Sequence, residues 1–306
     1  MAWQGVPRIH EARLFRKRNV VGVGIAKKVA GGRQTDEPCV VVFVERKVPR
    51  AQLRPKDLVP ATIEAMKTDV VETGRIQALQ ARTARWRPAP GGVSVGHYRI
   101  TAGTLGVVAR RAGVRMILSN NHVLANANAA SIGDAILQPG PYDGGTAAQD
   151  RIATLEAFVP IVFDGFLDFL LSLFCIARPV RNVVDAALGK PLSDADMSDE
   201  VLEIGRVSGT ASGAIDMPVR KSGRTTGLTE GRITTVAATV RVFYGLTRSA
   251  RFRDQLVASA LSQGGDSGSL IVNADDHAVG LLFAGSSNTT ILNPIDEVER
   301  LLGIGF

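Results

Sequence analysis

Short apolar runs separated by turn residues dominate the front part of the chain. Val20–Ile25 and Val40–Val44 have the length and the β-branched composition of strands. Gly31 and Gly32 lie between these runs and predict a turn. A third strand is predicted at Thr68–Val71. The front of the chain is therefore expected to form a small α+β module.

From residue 93 onward, short stretches of strand composition recur, with Gly, Asn, Asp and Pro between them. The stretches are Thr104–Val108, Met116–Ser119, Ala135–Gln138, Val183–Leu188, Arg232–Val236 and Ser269–Val272. Many short strands at this spacing predict a β-sandwich or β-barrels. A final short helix is predicted from Pro294 to Leu302, because proline suits a first turn and Asp296 and Glu297 lie near the positive helix end.

A proline- and glycine-rich segment at 76–92, ending in RPAPGG, divides the chain because it stops any helix. We predict a basic N-terminal module with its linker at 1–85 and a larger domain at 86–306. The chain contains 32 Gly and 14 Pro residues, which favours a β-rich architecture over a helical bundle.

Positive charge is concentrated in the front module. Residues 1–90 hold 18 Lys and Arg against 8 Asp and Glu, a net charge of +10, and the remaining residues carry 18 against 21, a net charge of −3. A basic surface can attract nucleic acid. No nucleic-acid-binding motif accompanies the charge, so a solvated face is favoured.

Cysteine usage bears on the compartment. Cys39 and Cys175 are far apart and have apolar neighbours, which favours two buried free thiols over a disulfide. The N-terminal residues lack the basic and apolar regions of a secretory signal. Both observations lead us to expect a cytoplasmic protein.

A glycine-rich hexapeptide, GGDSGS at 264–269, carries the clearest candidate chemistry. A serine hydroxyl is a poor nucleophile unless a base takes its proton, and attack requires donors for the oxyanion that forms. The glycines would let the backbone curl so that the N–H groups of Gly265 and Ser267 converge. A glycine-rich turn without chemistry is the alternative.

His122 is the candidate base. Among the four histidines, it alone follows an apolar strand directly, in the sequence LSNNHVL. It precedes Ser267 by 145 residues (267 − 122). An α/β-hydrolase would need the opposite order, with histidine last in the chain.

Together these motifs resemble those of the trypsin- and chymotrypsin-like serine peptidases, in which the catalytic residues occur in the order His, Asp, Ser. The resemblance covers about 93–306. It implies a mainly β fold with two barrels, the first at about 93–190 and the second at about 200–306, and a serine endopeptidase that needs no metal or cofactor. The front module resembles one found ahead of some bacterial cytosolic members.

The family's aspartate orients the histidine and should lie at a partly buried strand end. Asp185, in RNVVDAAL, fits best because β-branched residues precede it and small residues follow. Asp194 or Asp196 could serve instead.

A second match, KSGRTTG at 221–227, resembles a segment of bacterial members in which the arginine pairs with the aspartate before the nucleophile. The resemblance implies that Arg224 supports Asp266 by an ion pair. Such a pair argues against activation by a newly formed N-terminus.

The resemblance also implies a specificity pocket with Leu261 at its base and Phe283 and Gly285 in the opposite wall. A neutral, apolar base cannot pair with a charged substrate side chain, so cleavage after neutral or apolar residues of a protein or peptide is expected.

The apolar stretch 158–177 is long enough to span a bilayer, but Pro160, Asp164, Gly165 and Asp168 argue against spanning. We expect it to form a homo-oligomer interface; packing on its own barrel ranks second and a membrane-surface or gating role third. The functional alternatives to an active endopeptidase are a catalytically silent protease-fold scaffold and a nucleic-acid-associated protein that uses the front module.

Overall fold

The computed structural model describes residues 6–31, 33–74, 76, 80–165, 180–245 and 247–306. The chain divides into two compact units, 1–79 and 80–306. The linker residues 80–85, expected with the first unit, belong to the second. Arg82 explains this difference, because it donates hydrogen bonds to the Gly92 carbonyl at 3.2 Å and to the Ser222 hydroxyl at 2.6 Å.

The first unit is a four-stranded sheet with one helix. Its elements are α1 (Arg8–Phe15), β1 (Val20–Ala30), β2 (Arg33–Val44), β3 (Thr62–Ile63) and β4 (Met66–Glu72), with 3₁₀ turns at 50–52 and 55–57. The strand order is β1-β2-β4-β3, and only the central β2–β4 pair is parallel. Val40, Val42 and Val44 of β2 form its core with Leu14 and Ile63. The three predicted strands correspond to β1, β2 and β4.

The second unit begins with a curled seven-stranded sheet in the order β7-β6-β10-β11-β12-β9-β8. Its strands are β6 (Ser94–His97), β7 (Gly103–Thr104), β8 (Val107–Arg111), β9 (Val114–Ser119), β10 (Ala135–Leu137), β11 (Arg151–Phe158) and β12 (Ala187–Pro191). The edge strands β7 and β8 are joined by Leu105 and Gly106, whose N–H groups donate at 2.9 Å to Val93 and Leu118. The sheet therefore closes on itself as a barrel.

A small three-stranded sheet and a second barrel complete this unit. The small sheet holds β5 (Ala89–Gly91), β13 (Met197–Val201) and β14 (Gly205–Arg206). The closed barrel runs β15-β16-β17-β20-β19-β18. Its strands are β15 (Pro218–Gly223), β16 (Gly227–Tyr244), β17 (Arg248–Ser259), β18 (Leu270–Val272), β19 (Ala278–Gly285) and β20 (Thr289–Pro294). A one-turn helix α2 (Asn121–Leu124) follows β9, and α3 (Ile295–Leu302) ends the chain.

This topology confirms the predicted fold class: a mainly β, chymotrypsin-like double barrel with a small N-terminal module and a short C-terminal helix. Helix α3 ends at Gly303, whose φ of +65° gives the left-handed conformation common after a helix. Val298 and Leu302 of α3 are buried in a cluster that also contains Leu118 and Leu281, so the helix packs where the two barrels meet.

The beginning of the apolar insert packs on its own second barrel. Ile161 is buried in a cluster with Phe252 and Phe283, and Phe163 lies against Tyr244 with ring centroids 5.4 Å apart. Residues 166–179, on which the expected oligomer interface depends, lie outside the described residues, as does Cys175. Within the described ranges, no helix combines the length and the apolar character that crossing a membrane requires.

Candidate active site

His122 lies on helix α2, at the end of a strand that is fixed by two buried polar side chains. The Ser119 hydroxyl donates to the Thr104 carbonyl at 2.7 Å, and the Asn120 amide donates to the Asp185 carbonyl at 2.7 Å. Ser119 and Asn120 are completely buried, whereas the His122 side chain keeps 24% of its surface exposed. The segment that carries the imidazole is therefore fixed by buried hydrogen bonds, while the ring itself can be reached from solvent.

The Asp185 carboxylate is completely buried and faces His122. Its Oδ2 lies 2.7 Å from His122 Nδ1, and its Oδ1 accepts the His122 backbone N–H at 3.2 Å. Asn293 holds the backbone of Asp185 through two hydrogen bonds of 3.1 Å, one in each direction. An ionised carboxylate only accepts, so Nδ1 carries the proton and Nε2 is left to accept another.

The alternatives for this aspartate lie elsewhere. Asp194 and Asp196 form a 3₁₀ turn at the surface, and Asp196 faces Arg87 at 3.9 Å. Of the three candidates, the structure brings only Asp185 to His122.

Tyr244 also reaches the Asp185 carboxylate, and sequence reasoning missed it. Its hydroxyl donates to Asp185 Oδ2 at 2.7 Å, and its ring meets the His122 ring edge to face with centroids 5.9 Å apart. Burial, together with the Asp185 charge, raises the pKa of Tyr244 far above its ordinary value, so the hydroxyl stays protonated and donates. No local motif marks this residue, because its partner is 59 positions away.

Ser267 follows a tightly bonded turn whose peptide orientations are set by two threonines. The Thr225 hydroxyl donates to the Gly264 carbonyl at 2.8 Å, and the Thr104 hydroxyl donates to the Gly265 carbonyl at 2.9 Å. In a trans peptide the N–H points opposite to the C=O, so Thr225 turns the Gly265 N–H away from itself. Gly265 has a φ of +97°, a conformation that L side chains rarely adopt.

Two N–H groups beside Ser267 are free in this turn. The backbone N–H groups of Gly265 and Ser267 make no hydrogen bond to any residue that the structure describes, although neighbouring Asp266, Gly268 and Ser269 all donate theirs. Two unpaired N–H groups, one on the serine itself and one two residues before it, can bind a developing oxyanion.

Gly103 is where the serine turn meets the histidine helix. The Thr104 N–H donates to the Ser267 carbonyl at 2.8 Å. A Cβ on Gly103 would lie 2.5 Å from Cγ2 of Val123, the residue after His122, and 2.9 Å from the Ser267 carbonyl oxygen. These distances are too short for any side chain, so Gly103 allows the two segments to approach.

Asp266 is completely buried, and it pairs with Lys221 instead of the expected Arg224. The Lys221 ammonium, also completely buried, lies 3.3 Å from Asp266 Oδ2. Oδ2 further accepts the Thr226 hydroxyl at 2.7 Å and the Gln263 N–H at 2.9 Å. Oδ1 accepts the N–H groups of Thr225 at 2.9 Å and Thr226 at 3.1 Å. Four neutral donors and one cation thus surround the carboxylate.

The pKa shifts of this pair follow from its burial. Burial favours a raised pKa for the Asp266 carboxyl, but the hydrogen bonds from Gln263 and Thr226 and the Lys221 charge hold that pKa below its ordinary value. Burial lowers the pKa of the Lys221 ammonium, and attraction to Asp266 offsets only part of this shift.

Arg224, expected to support Asp266, instead forms a two-pronged pair with Asp143. Its Nε donates to Asp143 Oδ2 at 2.7 Å, and its Nη2 donates to Oδ1. The Tyr142 ring lies 5.2 Å below the guanidinium. The expected pair is therefore wrong, because a partner with both oxygens available binds the planar guanidinium better.

A cleft of about 780 Å³ opens beside Ser267. Its wall is formed by neutral residues, among them Thr226, Thr229, Leu261, Ser262, Ala284 and Gly285. Leu261 is almost fully buried, and its carbonyl accepts the Thr229 hydroxyl at 2.7 Å. Leu261 and Gly285 thus both line this cleft, and Leu261 also belongs to the hydrophobic core of the second barrel.

Phe283, the third residue expected at the pocket, points away from it. Leu282 and Ala284 line the cleft, and successive side chains of a strand point to opposite faces. The Phe283 ring packs instead against Phe252, with centroids 4.9 Å apart. The prediction that Phe283 narrows the pocket is therefore wrong.

Comparison with known proteins gives a family match for the first unit. Residues 7–72 match the family described as the NARROW LEAF 1 N-terminal domain. No curated protein matches the chain.

The chain is also similar to several solved proteases. A chymotrypsin from Cellulomonas bogoriensis is 16% identical with a TM-score of 0.48, and the match covers 71% of this chain and 97% of that one. Protease A from Thermobifida fusca is 19% identical with a TM-score of 0.49, covering 71% and 96%. A Nocardiopsis protease is 19% identical with a TM-score of 0.49, covering 71% and 97%.

Proposed function

We propose that this chain is a serine endopeptidase in which Ser267 attacks the peptide bond, His122 is the general base and Asp185 orients it. The observation that carries the proposal is the buried Asp185 carboxylate 2.7 Å from His122 Nδ1. Burying a carboxylate costs free energy. Buried titratable groups with a specific charge partner are concentrated at functional sites.

In the first half of the reaction, His122 Nε2 takes the proton of the Ser267 hydroxyl while its oxygen attacks the carbonyl carbon of the substrate. Asp185 keeps Nδ1 protonated, so Nε2 can accept, and it stabilises the imidazolium that forms. The imidazolium then gives the proton to the leaving amine as the C–N bond breaks. Ser267 is left as an ester of the acyl group.

In the second half, water attacks this ester with His122 again as base, and the Ser267 oxygen leaves with a proton from the imidazolium. Both tetrahedral intermediates carry a negative oxygen. The free N–H groups of Gly265 and Ser267 are the donors available to it, and removal of one such donor costs roughly 10²–10³ in rate in enzymes of this type.

The substrate side chain before the cleaved bond is neutral or apolar in this proposal. The cleft beside Ser267 is lined by uncharged residues, with Leu261 in its wall. A Lys or Arg side chain would lose its water there without gaining a carboxylate partner, whereas an apolar side chain gains about 25 cal/mol for each Å² removed from water.

Covalent labelling with a fluorophosphonate tests the proposal. The wild-type chain should gain one phosphonyl group on Ser267, measured by intact mass and peptide mapping. Ser267→Ala should gain none. Ser208→Ala is the matched control, because Ser208 is exposed and its hydroxyl donates to the Asp275 carbonyl at 3.0 Å, so this variant should label at the wild-type rate.

A folded wild-type chain that resists labelling would reject the proposal and favour the catalytically silent scaffold. Equal labelling of Ser267→Ala would place the reactive nucleophile elsewhere.

A further inference from the structure

Tyr244 is delivered to the Asp185 carboxylate by a long hairpin. Strands β16 and β17 pair along Gly227–Tyr244 and Arg248–Ser259, and the last pair before the tip is Tyr244 with Arg248. The hairpin carries the ring of Tyr244 from the second barrel to a carboxylate that belongs to the segment before β12.

The ring of Tyr244 is packed on three sides, which fixes the direction of its hydroxyl. Phe163 meets it edge to face at 5.4 Å between centroids, Phe252 lies at 6.4 Å and the His122 ring at 5.9 Å. Its hydroxyl bonds Asp185 Oδ2 at 2.7 Å, the same oxygen that His122 Nδ1 approaches at 2.7 Å.

The segment that carries Phe163, which packs against Tyr244, is held in place by hydrogen bonds. Beside Phe163, the Asp164 N–H donates to the Ser249 carbonyl at 2.7 Å, and its carboxylate accepts the Ser249 hydroxyl at 2.9 Å and Arg251 Nε at 3.0 Å. These bonds tie the segment after β11 to the hairpin strand β17. The Tyr244 hydroxyl therefore has little freedom to leave the carboxylate.

We propose that Tyr244 is a positioning residue of the His122–Asp185 pair, a proposal that rests on the proposed function. Its hydroxyl is the donor that fixes the rotation of the Asp185 carboxylate and takes up part of its charge. Among the described residues, only the His122 N–H donates to Oδ1, at 3.2 Å, and without Tyr244 the carboxylate would be oriented there only by its two contacts with His122. An aspartate oriented only by the group that it must orient is a weak support.

The hydrogen bond from Tyr244 to Asp185 determines the direction in which the protonation of His122 should change when the hydroxyl is removed. Asp185 and His122 are the titratable groups in contact with Tyr244. The charged groups beside the rings packed on Tyr244 are Arg248, which lies over the Phe163 ring at 4.2 Å, and Asp164, which pairs with Arg251 at 3.0 Å. A donor on Oδ2 weakens the attraction between the carboxylate and the imidazolium. Its removal should strengthen that attraction and favour protonated His122.

The test compares Tyr244→Phe with wild type. The ring and its packing remain, and only the hydroxyl is lost. Tyr98→Phe is the matched control, because the Tyr98 hydroxyl has no hydrogen bond to any described residue and its ring lies beside His97, with ring centroids 4.5 Å apart. Peptide hydrolysis across pH and NMR titration of the His122 ring are measured for all three proteins.

For Tyr244→Phe we expect kcat to fall about tenfold, since loss of one positioning bond is worth about 1.4 kcal/mol. We expect KM to stay within about twofold, because Tyr244 does not line the cleft. The acid limb of the kcat/KM profile and the titration midpoint of the His122 ring should both move to higher pH. Tyr98→Phe should match wild type in all four quantities.

A variant with wild-type kcat and an unmoved His122 titration overturns the proposal, even if the chain is an active peptidase. If the wild-type chain does not hydrolyse peptides but the NMR titration still shifts, the proposed function fails while the positioning contact stands. Should Tyr244→Phe not fold, the Cζ resonance of Tyr244 in the wild-type chain decides. That signal stays constant through pH ~10 if the hydroxyl is bonded to Asp185, and a change near pH ~10 contradicts the bond.

Discussion

Asp266→Asn replaces one carboxylate oxygen by an NH₂ group in the completely buried residue that precedes the nucleophile. In the wild-type chain, Oδ1 accepts the N–H groups of Thr225 and Thr226, and Oδ2 accepts the Thr226 hydroxyl and the Gln263 N–H. An asparagine must put its NH₂ group in one of these two places. In either orientation, at least one backbone N–H then faces another donor, so the site cannot satisfy the amide.

The substitution also leaves the Lys221 ammonium without its carboxylate partner. Lys221 is completely buried. Among the described residues, its ammonium keeps only two neutral acceptors without Asp266, the Thr226 hydroxyl and the Gly227 carbonyl at 3.1 Å. Removing one member of a buried ion pair typically costs about 3–5 kcal/mol, because the remaining charge is uncompensated. For a unit of this size such a loss lowers the melting temperature by roughly 10 °C.

The loss should depend on pH with a defined sign. The pKa of Lys221 already lies below 10.5 through burial, and without Asp266 it falls further. A lysine with a lower pKa in the folded state binds fewer protons there, so the free energy of unfolding rises with pH between the folded-state pKa and 10.5. This window is wider in the variant, and its deficit relative to wild type should therefore shrink as the pH rises above neutrality.

At acidic pH the wild-type chain loses the stability that the ionised Asp266 carboxylate contributes. The pKa of Asp266 is depressed in the folded state, so its contribution is fully present above the unfolded value of 3.8 and disappears as the pH falls through the folded-state pKa. The difference between the two proteins should thus be largest between these two windows.

Calorimetric melting of wild type and Asp266→Asn at acidic, neutral and alkaline pH measures these differences. Asp216→Asn is the matched control: Asp216 faces Arg232 at 3.7 Å in an exposed pair, and the change should cost less than about 1 kcal/mol. The reasoning is refuted if Asp266→Asn melts within about 2 °C of wild type at neutral pH. A deficit that is constant from neutral to alkaline pH would refute the account of Lys221.

Two further predictions concern catalysis and specificity. Asp185→Asn should lower kcat/KM by roughly 10⁴-fold in a peptide hydrolysis assay, because an amide can hold His122 in the wrong tautomer; activity within about tenfold of wild type would remove Asp185 from its role. Leu261→Asp should raise cleavage after Lys or Arg relative to Leu or Phe in a peptide library, with Leu261→Asn as the uncharged control. Strong wild-type cleavage after Arg would mean that an acidic side chain reaches the cleft.

The residues that could be predicted from the sequence are those whose signal is local. Ser267 lies in a glycine-rich turn whose composition already implies a tight bend, and His122 follows the apolar strand that places it. Asp185 is predicted over Asp194 and Asp196 because two β-branched residues precede it and small residues follow it, and the structure places it, completely buried, beside His122.

Contacts between distant strands could not be predicted in this way. Tyr244 meets Asp185 only because the β16–β17 hairpin contains three shifts of register, which determine where its last residue points. Phe283 was assigned to the pocket although a shift of one position along a strand reverses the face of a side chain. The pattern of apolar residues along β19 is nearly continuous, so it does not distinguish the two faces.

Asp266 pairs with Lys221, although the motif resemblance implies a pair with Arg224. Four neutral donors already occupy both oxygens of Asp266, so no pair of free lone pairs remains for the parallel bonds of a guanidinium. An ammonium needs only one approach to one oxygen, and Lys221 makes it at 3.3 Å from within strand β15. Asp143 leaves both oxygens to Arg224. Which cation supports the residue before the nucleophile is thus decided by how many acceptor sites the backbone has already filled, a quantity that exists only in the folded chain.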